Sequence, residues 1–186
     1  AAAAANPHSI AVLPFVNMSA DREQDYFSDG LSDELLNMLG QVPQLRVTAR
    51  TSSFSFKDKR VDIPTIARAL NVATVLEGSV RKSGETLRIT AQLVRASDGS
   101  QLWSEIYDRQ ITDVFKVQDE IAAAVVAALR VRLLPEQHVT NPHRTVNSQA
   151  YDQFLLARQF NSRSTSEGYR KAIEAYRKAI ALDPDY

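Results

Sequence analysis

The chain contains no cysteine among its 186 residues, and it lacks other features that mark particular classes of protein. Without cysteine, disulfides, thiol nucleophiles and thiolate metal sites are excluded. The six glycines include no Gly-x-Gly pair and no Gly-Lys step, so the sequence has no phosphate-binding loop of a known type. No apolar run approaches the roughly 20 residues of a membrane helix, so no membrane span is predicted. Basic and acidic groups balance at 22 each, which excludes a strong overall field for nucleic acid.

The three histidines, His8, His138 and His143, lie in the leader or in a predicted linker. None stands beside a serine at the end of a predicted strand, so a nucleophile and histidine pair has no scaffold. His138 and His143 would need carboxylates from elsewhere to bind a metal, and solvated linker side chains explain both. We therefore predict no catalytic residue.

A row of acidic residues, Asp25, Asp29 and Asp33, would share one face of a helix. Such a row suggests magnesium or calcium, but it lacks the alternate spacing and central glycine of a calcium loop. Acidic side chains near a helix start explain it, because they complement the helix dipole. We predict neither a metal site nor a cofactor.

Charge is unevenly distributed along the chain. Residues 1–40 carry one arginine against six acidic groups, whereas residues 41–95 carry ten basic groups against four acidic ones. This asymmetry predicts that the two segments attract each other, or present opposite faces to a partner.

The first half of the chain alternates strand and helix patterns. The apolar run from Ser9 to Phe15 is typical of a strand buried on both faces, and Leu45 to Ala49 is a second strand candidate. The apolar stripe after Ser28, closed by Gly40, predicts a helix. Asp62 to Leu70 predicts a short helix with proline in its first turn.

Three β-rich runs follow, from Val72 to Arg81, Thr86 to Arg95 and Gln101 to Tyr107. The dipeptides Ser83-Gly84 and Asp98-Gly99 between them supply the positive φ of tight hairpin turns. These runs predict a three-stranded antiparallel meander with one buried face.

The order of elements predicts an α/β fold, in which helices cover a mixed sheet containing the meander. A long helix from about Asp113 to Leu133 follows the meander, and the proline-containing residues 135–147 form a linker. A C-terminal helical hairpin completes the fold, with helices from Ser148 to Asn161 and from Thr165 to Leu182.

Several blocks together resemble the TolB-like domain of bacterial multidomain regulators: SIAVLPFVNMSADREQDYFSDGLSDELL, LRVTARTSSFSFK, VLEGSVRKSGETLRITAQLVRASDGSQLWSEIYDR and VQDEIAAAVV. The resemblance covers about residues 9–134 and implies a fold similar to the amino-terminal domain of the periplasmic protein TolB. It also implies a preceding effector, which in such regulators is a class III adenylate or guanylate cyclase, a winged-helix domain or a kinase. None of those effector motifs is in this chain.

The segment YRKAIEAYRKAIALDPDY, residues 169–186, resembles the second helix of a tetratricopeptide repeat. Small, aromatic and proline positions of the repeat match, and the first helix fits less closely; a generic amphipathic helix pair is the alternative. Because the next repeat would begin where the chain stops, we expect a fragment of a longer protein. The matching residues are Ala172, Tyr176, Ala179 and Pro184, with Leu156, Ala157 and Phe160 in the first helix.

These patterns divide the chain into a tag or linker at residues 1–8, a TolB-like domain at 9–134, a linker at 135–147 and a first repeat at 148–186. We expect a non-catalytic sensory and interaction module that binds a protein or peptide partner and regulates an amino-terminal effector. The alternative is the regulatory part of a nucleotide cyclase whose catalytic domain lies elsewhere. The sequence leaves the compartment open between the cytoplasmic and periplasmic sides of a membrane-associated regulator.

Candidate binding residues fall in two places. Ligands of open α/β sheets bind outside the carboxyl ends of strands, which predicts a cleft around Asn17, Ser19, Arg50, Thr51 and Ser52. Side chains of the first repeat helix face the groove of a repeat array, which points to Arg158 and Asn161; solvent-facing polar side chains are the alternative.

The run TSSFSFKDKR, residues 51–60, raises the possibility of nucleic-acid binding, because Phe54 and Phe56 could stack on bases beside lysines. Alternation of the two phenylalanines with serines equally places one apolar side against the sheet, and we expect this packing and no direct nucleic-acid contact. Exposed repeat surfaces make a homo-oligomer possible.

Overall fold

The computed structural model describes residues 5–129 and 145–186. Within them, six strands form one mixed sheet: β1 (Ser9–Val12), β2 (Val16–Asn17), β3 (Arg46–Val47), β4 (Thr74–Ser83), β5 (Thr86–Arg95) and β6 (Gln101–Gln110). The strand order is β3-β1-β4-β5-β6, and β2 also pairs with β4. Strand β1 is parallel to β3 and β4, whereas β4, β5 and β6 are antiparallel. The predicted α/β class and the meander are confirmed.

Six α-helices accompany this sheet in the described part of the chain: α1 (Asp25–Gly40), α2 (Arg50–Phe54), α3 (Ile63–Leu70), α4 (Val114–Ala128), α5 (Ser148–Ser162) and α6 (Ser166–Leu182). Short 3-10 turns precede α1 and α4. We call residues 5–129 the α/β unit and residues 145–186 the helical hairpin.

Helices cover both faces of the sheet. Alternate residues of β1 point to opposite sides, so Ile10 joins a core shared with α1 and α4 while Ala11 joins a smaller core beneath α3. This double burial confirms the apolar run as a core strand, although Pro14 interrupts it and β2 begins at Val16. Proline cannot donate a ladder hydrogen bond, which accounts for the break.

The turns of the meander follow the sequence prediction. Gly84 and Gly99 have φ of 58° and 70°, the left-handed region that glycine enters without steric cost. In β5, Leu87, Ile89 and Leu93 are buried against the helices. The meander is therefore fixed locally by its turns and by one apolar face.

Residues 51–60 differ from the extended pattern suggested by their alternating phenylalanines, because Arg50–Phe54 forms α2. Phe56 still packs against the small core beneath α3, as expected. The strand predicted from Leu45 to Ala49 is shorter in the structure, where β3 contains only two residues. The predicted helix 113–133 begins one residue later as α4, and its residues 130–133, with most of the predicted linker, lie outside the described part.

The helical hairpin is antiparallel and its ends are tied together. Asn147 caps α5 by accepting hydrogen bonds from the N–H groups of Gln149 and Ala150, and its Nδ2 donates to the carbonyl of Leu182 at 3.0 Å. Thr165 caps α6 by accepting from the Gly168 N–H at 3.0 Å. Such caps satisfy backbone donors that a helix start leaves unpaired.

The hydrophobic core continues from the α/β unit into α5. Tyr151 and Leu155 are each 2% exposed and belong to the same core cluster as α1 and α4. The hairpin is thus docked on the α/β unit by buried apolar contacts as well as by the polar contacts described next.

Candidate functional site

A cavity of about 420 Å³ lies where the helical hairpin meets the α/β unit, between α1, the start of α2, α5 and α6. We call it the junction pocket. Three of the residues selected from the sequence line it: Arg50, Arg158 and Asn161. The sequence placed Arg50 in a strand-end cleft and the other two in a repeat groove, but the structure brings all three together.

One face of α1 forms the floor of the junction pocket. Tyr26, Asp29, Gly30 and Asp33 lie on one face, because Tyr26 and Gly30, and likewise Asp29 and Asp33, are four residues apart. A Cβ atom at Gly30 would lie 2.9 Å from the Leu155 Cγ and closer still to its methyl groups. Glycine at this position therefore lets α5 approach α1 closely.

Asp33 is the polar centre of the pocket. Its side chain is only 5% exposed, and its Oδ1 lies 3.0 Å from the Arg50 Nε while its Oδ2 pairs with the Arg158 Nη2. A buried carboxylate is costly unless it is paired and hydrogen-bonded. Asp33 thus requires cations from both the α/β unit and the hairpin.

Aromatic rings position both arginines. The Arg50 Cζ lies 4.1 Å from the ring centroid of Phe54, and the Arg158 Cζ lies 5.8 Å from that of Phe154. Guanidinium groups are attracted to ring faces at these distances. The side chains of Arg50 and Arg158 remain 44% and 34% exposed, so part of each guanidinium faces the pocket.

A second polar contact joins the units at Asp152 in α5. Its Oδ1 accepts a hydrogen bond from the Tyr26 hydroxyl at 2.9 Å and lies 3.2 Å from the Lys82 Nζ. Burial, followed by the charge of Asp152, raises the pKa of Tyr26 well above its usual value. Tyr26 therefore remains a neutral donor at physiological pH.

Tyr151 anchors α5 to α4. Its ring meets Phe115 edge to face at 4.9 Å, and its hydroxyl accepts a hydrogen bond from the Gln118 Nε2 at 3.0 Å. Burial first, and the charge of Glu34 next, raise the pKa of Tyr151 well above its usual value.

At the edge of the pocket, Asp29 pairs with Lys57, whose Nζ lies 2.6 Å from Oδ2. Burial raises the pKa of Asp29, and the hydrogen bond and charge of Lys57 oppose that rise. With the Asp33–Arg50 pair, this contact joins the acidic first segment to the basic second one, the attraction that their unequal charges predict.

The remaining predicted residues lie elsewhere. Asn17 lines a second cleft of about 900 Å³, which shares Asp29 with the junction pocket, and its Nδ2 donates to the Asp25 Oδ1 at 2.7 Å. Ser19 Oγ accepts from the Lys82 N–H at 2.9 Å and lines neither cavity. Thr51 and Ser52 are exposed in the first turn of α2 and line neither. One strand-end cleft that contains all five predicted residues is therefore not formed.

Most of the side chains that line the junction pocket are polar, charged or aromatic. Two guanidinium groups, a buried carboxylate, side-chain amides and aromatic rings can hold an anionic or amphipathic group. Across residues 5–129 and 145–186, no group of three metal-ligating side chains is close enough to hold a metal ion. No helix in the same ranges is long and apolar enough to cross a membrane. His138 and His143 lie outside the described residues.

Sequence reasoning missed the floor of the pocket. Asp33 was grouped with helix-start acids, and Gly30 carried no signal distinguishing it from other helical glycines. One indication of this pairing is present in the sequence: residues 1–40 carry an excess of acidic groups and residues 41–95 carry an excess of basic groups. It indicates that pairs exist but not which residues form them.

Comparison with known proteins gives one family match and one long relative. Residues 6–124 match the family described as HilA/YgeH-like transcriptional regulator, second domain. A protein of Rhizobium meliloti (strain 1021), named "Putative adenylate cyclase 3", is 42% identical over 181 residues. That alignment covers 95% of this chain but only 30% of the relative.

Similar solved structures are more distant. TolB from Acinetobacter baumannii is 16% identical with a TM-score of 0.49, over 69% of this chain and 30% of that one. A lipoprotein of Neisseria meningitidis is 20% identical with a TM-score of 0.48, over 69% of this chain and 100% of that one. Identity and TM-score are both low, so the α/β fold rests on the structure of this chain. The match over residues 6–124 shows that the chain belongs to the family described as HilA/YgeH-like transcriptional regulator, second domain.

Proposed function

We propose that this chain is a non-catalytic interaction module of a bacterial multidomain signalling protein. It binds a protein or peptide partner and regulates an effector domain amino-terminal to it. The long alignment with a much larger relative supports a place within a longer polypeptide.

The observation that carries this proposal is the shared pairing of Asp33 with Arg50 and Arg158. Because one buried carboxylate depends on cations from both units, a partner at the junction pocket contacts both at once. Binding there changes the free energy of docking of the hairpin, which is the kind of coupling that regulation requires.

We further propose that the hairpin is the first unit of a tetratricopeptide array. In α6, Ala172, Ala175 and Ala179 are buried against α5, as small residues at a close helix contact should be. Beside them, Tyr169, Ile173 and Ile180 form an apolar stripe and are 47%, 53% and 57% exposed. A following helix of the same polypeptide would cover this stripe; pairing between two copies is the alternative.

A second candidate function is regulation of a class III adenylate or guanylate cyclase. The name of the Rhizobium meliloti relative favours it. The chain alone should then show no cyclase turnover, because catalysis belongs to a separate domain. Turnover by the isolated chain would contradict the non-catalytic assignment. The family match instead favours an effector that acts in transcription, such as a winged-helix domain.

The decisive experiment compares two arginine variants in the longer polypeptide. Arg158→Gln removes one partner of Asp33, whereas Arg170→Gln makes the same change on an exposed part of α6. The readout is cyclic AMP production for a cyclase effector, or reporter transcription for a DNA-binding one. We expect Arg158→Gln to change the output by about fivefold or more, the lower range of typical couplings, and Arg170→Gln to leave it unchanged. Equal outputs from the two variants would show that the junction has no regulatory role.

A further inference from the structure

We propose that the junction pocket recognises a carboxylate of an acidic peptide, which shares Arg50 and Arg158 with Asp33. This inference rests on the proposed function, because it names the chemical class of the partner.

The charged side chains that line the pocket are Asp29, Asp33, Arg50 and Arg158. Asp29 is neutralised by Lys57, whose Nζ lies 2.6 Å from its carboxylate. Asp33 is shared between Arg50 and Arg158, so neither guanidinium has a carboxylate to itself. One additional carboxylate can share the same two guanidinium groups.

The two guanidinium groups have donors to spare. Each carries five N–H bonds in a planar fork that fits a carboxylate. Asp33 is approached by the Nε of Arg50 and by an Nη of Arg158, and each arginine side chain remains more than one third exposed. Stacking on Phe54 and Phe154 holds both groups in place before a ligand arrives. A partner therefore loses little free energy in ordering them.

The walls of the pocket suit a peptide. Phe154 and Tyr176 present ring surfaces whose centroids are 6.1 Å apart, and Gln159 and Asn161 provide amides along the same side. Rings accommodate an apolar side chain next to the carboxylate, and amides can pair with peptide backbone. The volume of about 420 Å³ lies within the common range for ligand sites.

The probes are two peptides, acetyl-Gly-Glu-Phe-Gly-amide and its isosteric counterpart with Gln in place of Glu. Binding is followed in proton–nitrogen correlation spectra through the side-chain Nε–H signals of Arg50 and Arg158. We expect the Glu peptide to shift both signals and to bind about tenfold more tightly than the Gln peptide, as for a hydrogen bond to a charged group. Arg158→Gln should abolish this preference for Glu, and Arg170→Gln should retain it. Arg50→Gln provides a second loss variant if Arg158→Gln does not fold.

Equal binding of the two peptides, or an unchanged preference in both loss variants, would overturn the proposal. Inorganic pyrophosphate is the polyanion probe, and stronger shifts from it than from the Glu peptide would identify a phosphate site instead. If the Glu peptide fails to bind while Arg158→Gln still changes effector output, the ligand class is wrong and the interaction function stands.

Discussion

Asp33 in α1 and Arg158 in α5 form an ion pair that connects the α/β unit to the helical hairpin. The carboxylate is nearly inaccessible to solvent, whereas the guanidinium is partly exposed. Loss of the arginine therefore leaves a buried anion with Arg50 as its remaining partner in the described residues.

This pairing predicts the result of a double-mutant cycle. Arg158→Gln should lower the free energy of unfolding by about 1–3 kcal/mol, because Asp33 loses one of two charged partners. In an Asp33→Asn background the same change should cost less, since position 33 then carries no charge. Urea denaturation of the four proteins measures the coupling. Strictly additive effects would show that the two side chains do not interact in solution.

The close approach of α1 and α5 predicts opposite effects at two glycines of the same helix. Gly30→Ala should destabilise the protein by about 1–3 kcal/mol, because the new methyl group displaces Leu155. Gly40→Ala is the matched control, since a Cβ there meets no atom within 4 Å. It should be neutral or stabilising by up to about 1 kcal/mol, because alanine favours helix. Thermal unfolding of both variants measures this difference. Equal losses of stability would contradict the close contact between Gly30 and Leu155.

Tyr151→Phe tests the anchor between α5 and α4. The substitution leaves the buried Gln118 amide without its hydroxyl acceptor, so we expect a loss of about 1–3 kcal/mol. Tyr169→Phe makes the same chemical change on an exposed ring and should stay within about 0.5 kcal/mol of the parent. Equal changes in the free energy of unfolding for the two variants would indicate that α5 is not docked on α4.

Alkaline pH should weaken docking through the same interface. Burial raises the pKa of Tyr26 and Tyr151 in the folded state, whereas unfolded tyrosine titrates near pH 10. Above about pH 10 the unfolded chain therefore binds fewer protons than the folded one, and stability falls as pH rises. Denaturation between about pH 8 and pH 11 measures this slope. Tyr26→Phe should reduce it, and an identical slope in that variant would exclude Tyr26 as a contributor.

Local signals made much of the fold predictable. The glycines at positions 84 and 99 and the alternation in β5 predicted the meander. The helices predicted to begin at Asp62 and Thr165 are present, and these two residues cap them. The spacing of apolar residues did not predict α2, which contains Phe54. A helix of five residues is too short to show a helical repeat of apolar positions.

The junction pocket was not predictable in the same way. Arg50 and Arg158 are 108 positions apart in the sequence, and only the docking of α5 on α1 places both beside Asp33. Asn17 ends β2 and Arg50 begins α2, and Asn17 is held by Asp25 whereas Arg50 is held by Asp33. Tertiary pairing of charges, which no local pattern encodes, decides which predicted residues share a site.

Docking of the hairpin on the α/β unit is measured most directly by hydrogen exchange of the amides of α5 and α6. If the two units form one cooperative structure, amides near Leu155 should open with the same free energy as those of β5. Arg158→Gln should then lower protection in α5, α6 and β5 alike, by the same amount as it lowers the free energy of unfolding. Faster exchange in α5 than in β5 of the parent protein, unaffected by Arg158→Gln, would show that the hairpin moves independently and would contradict the proposed coupling.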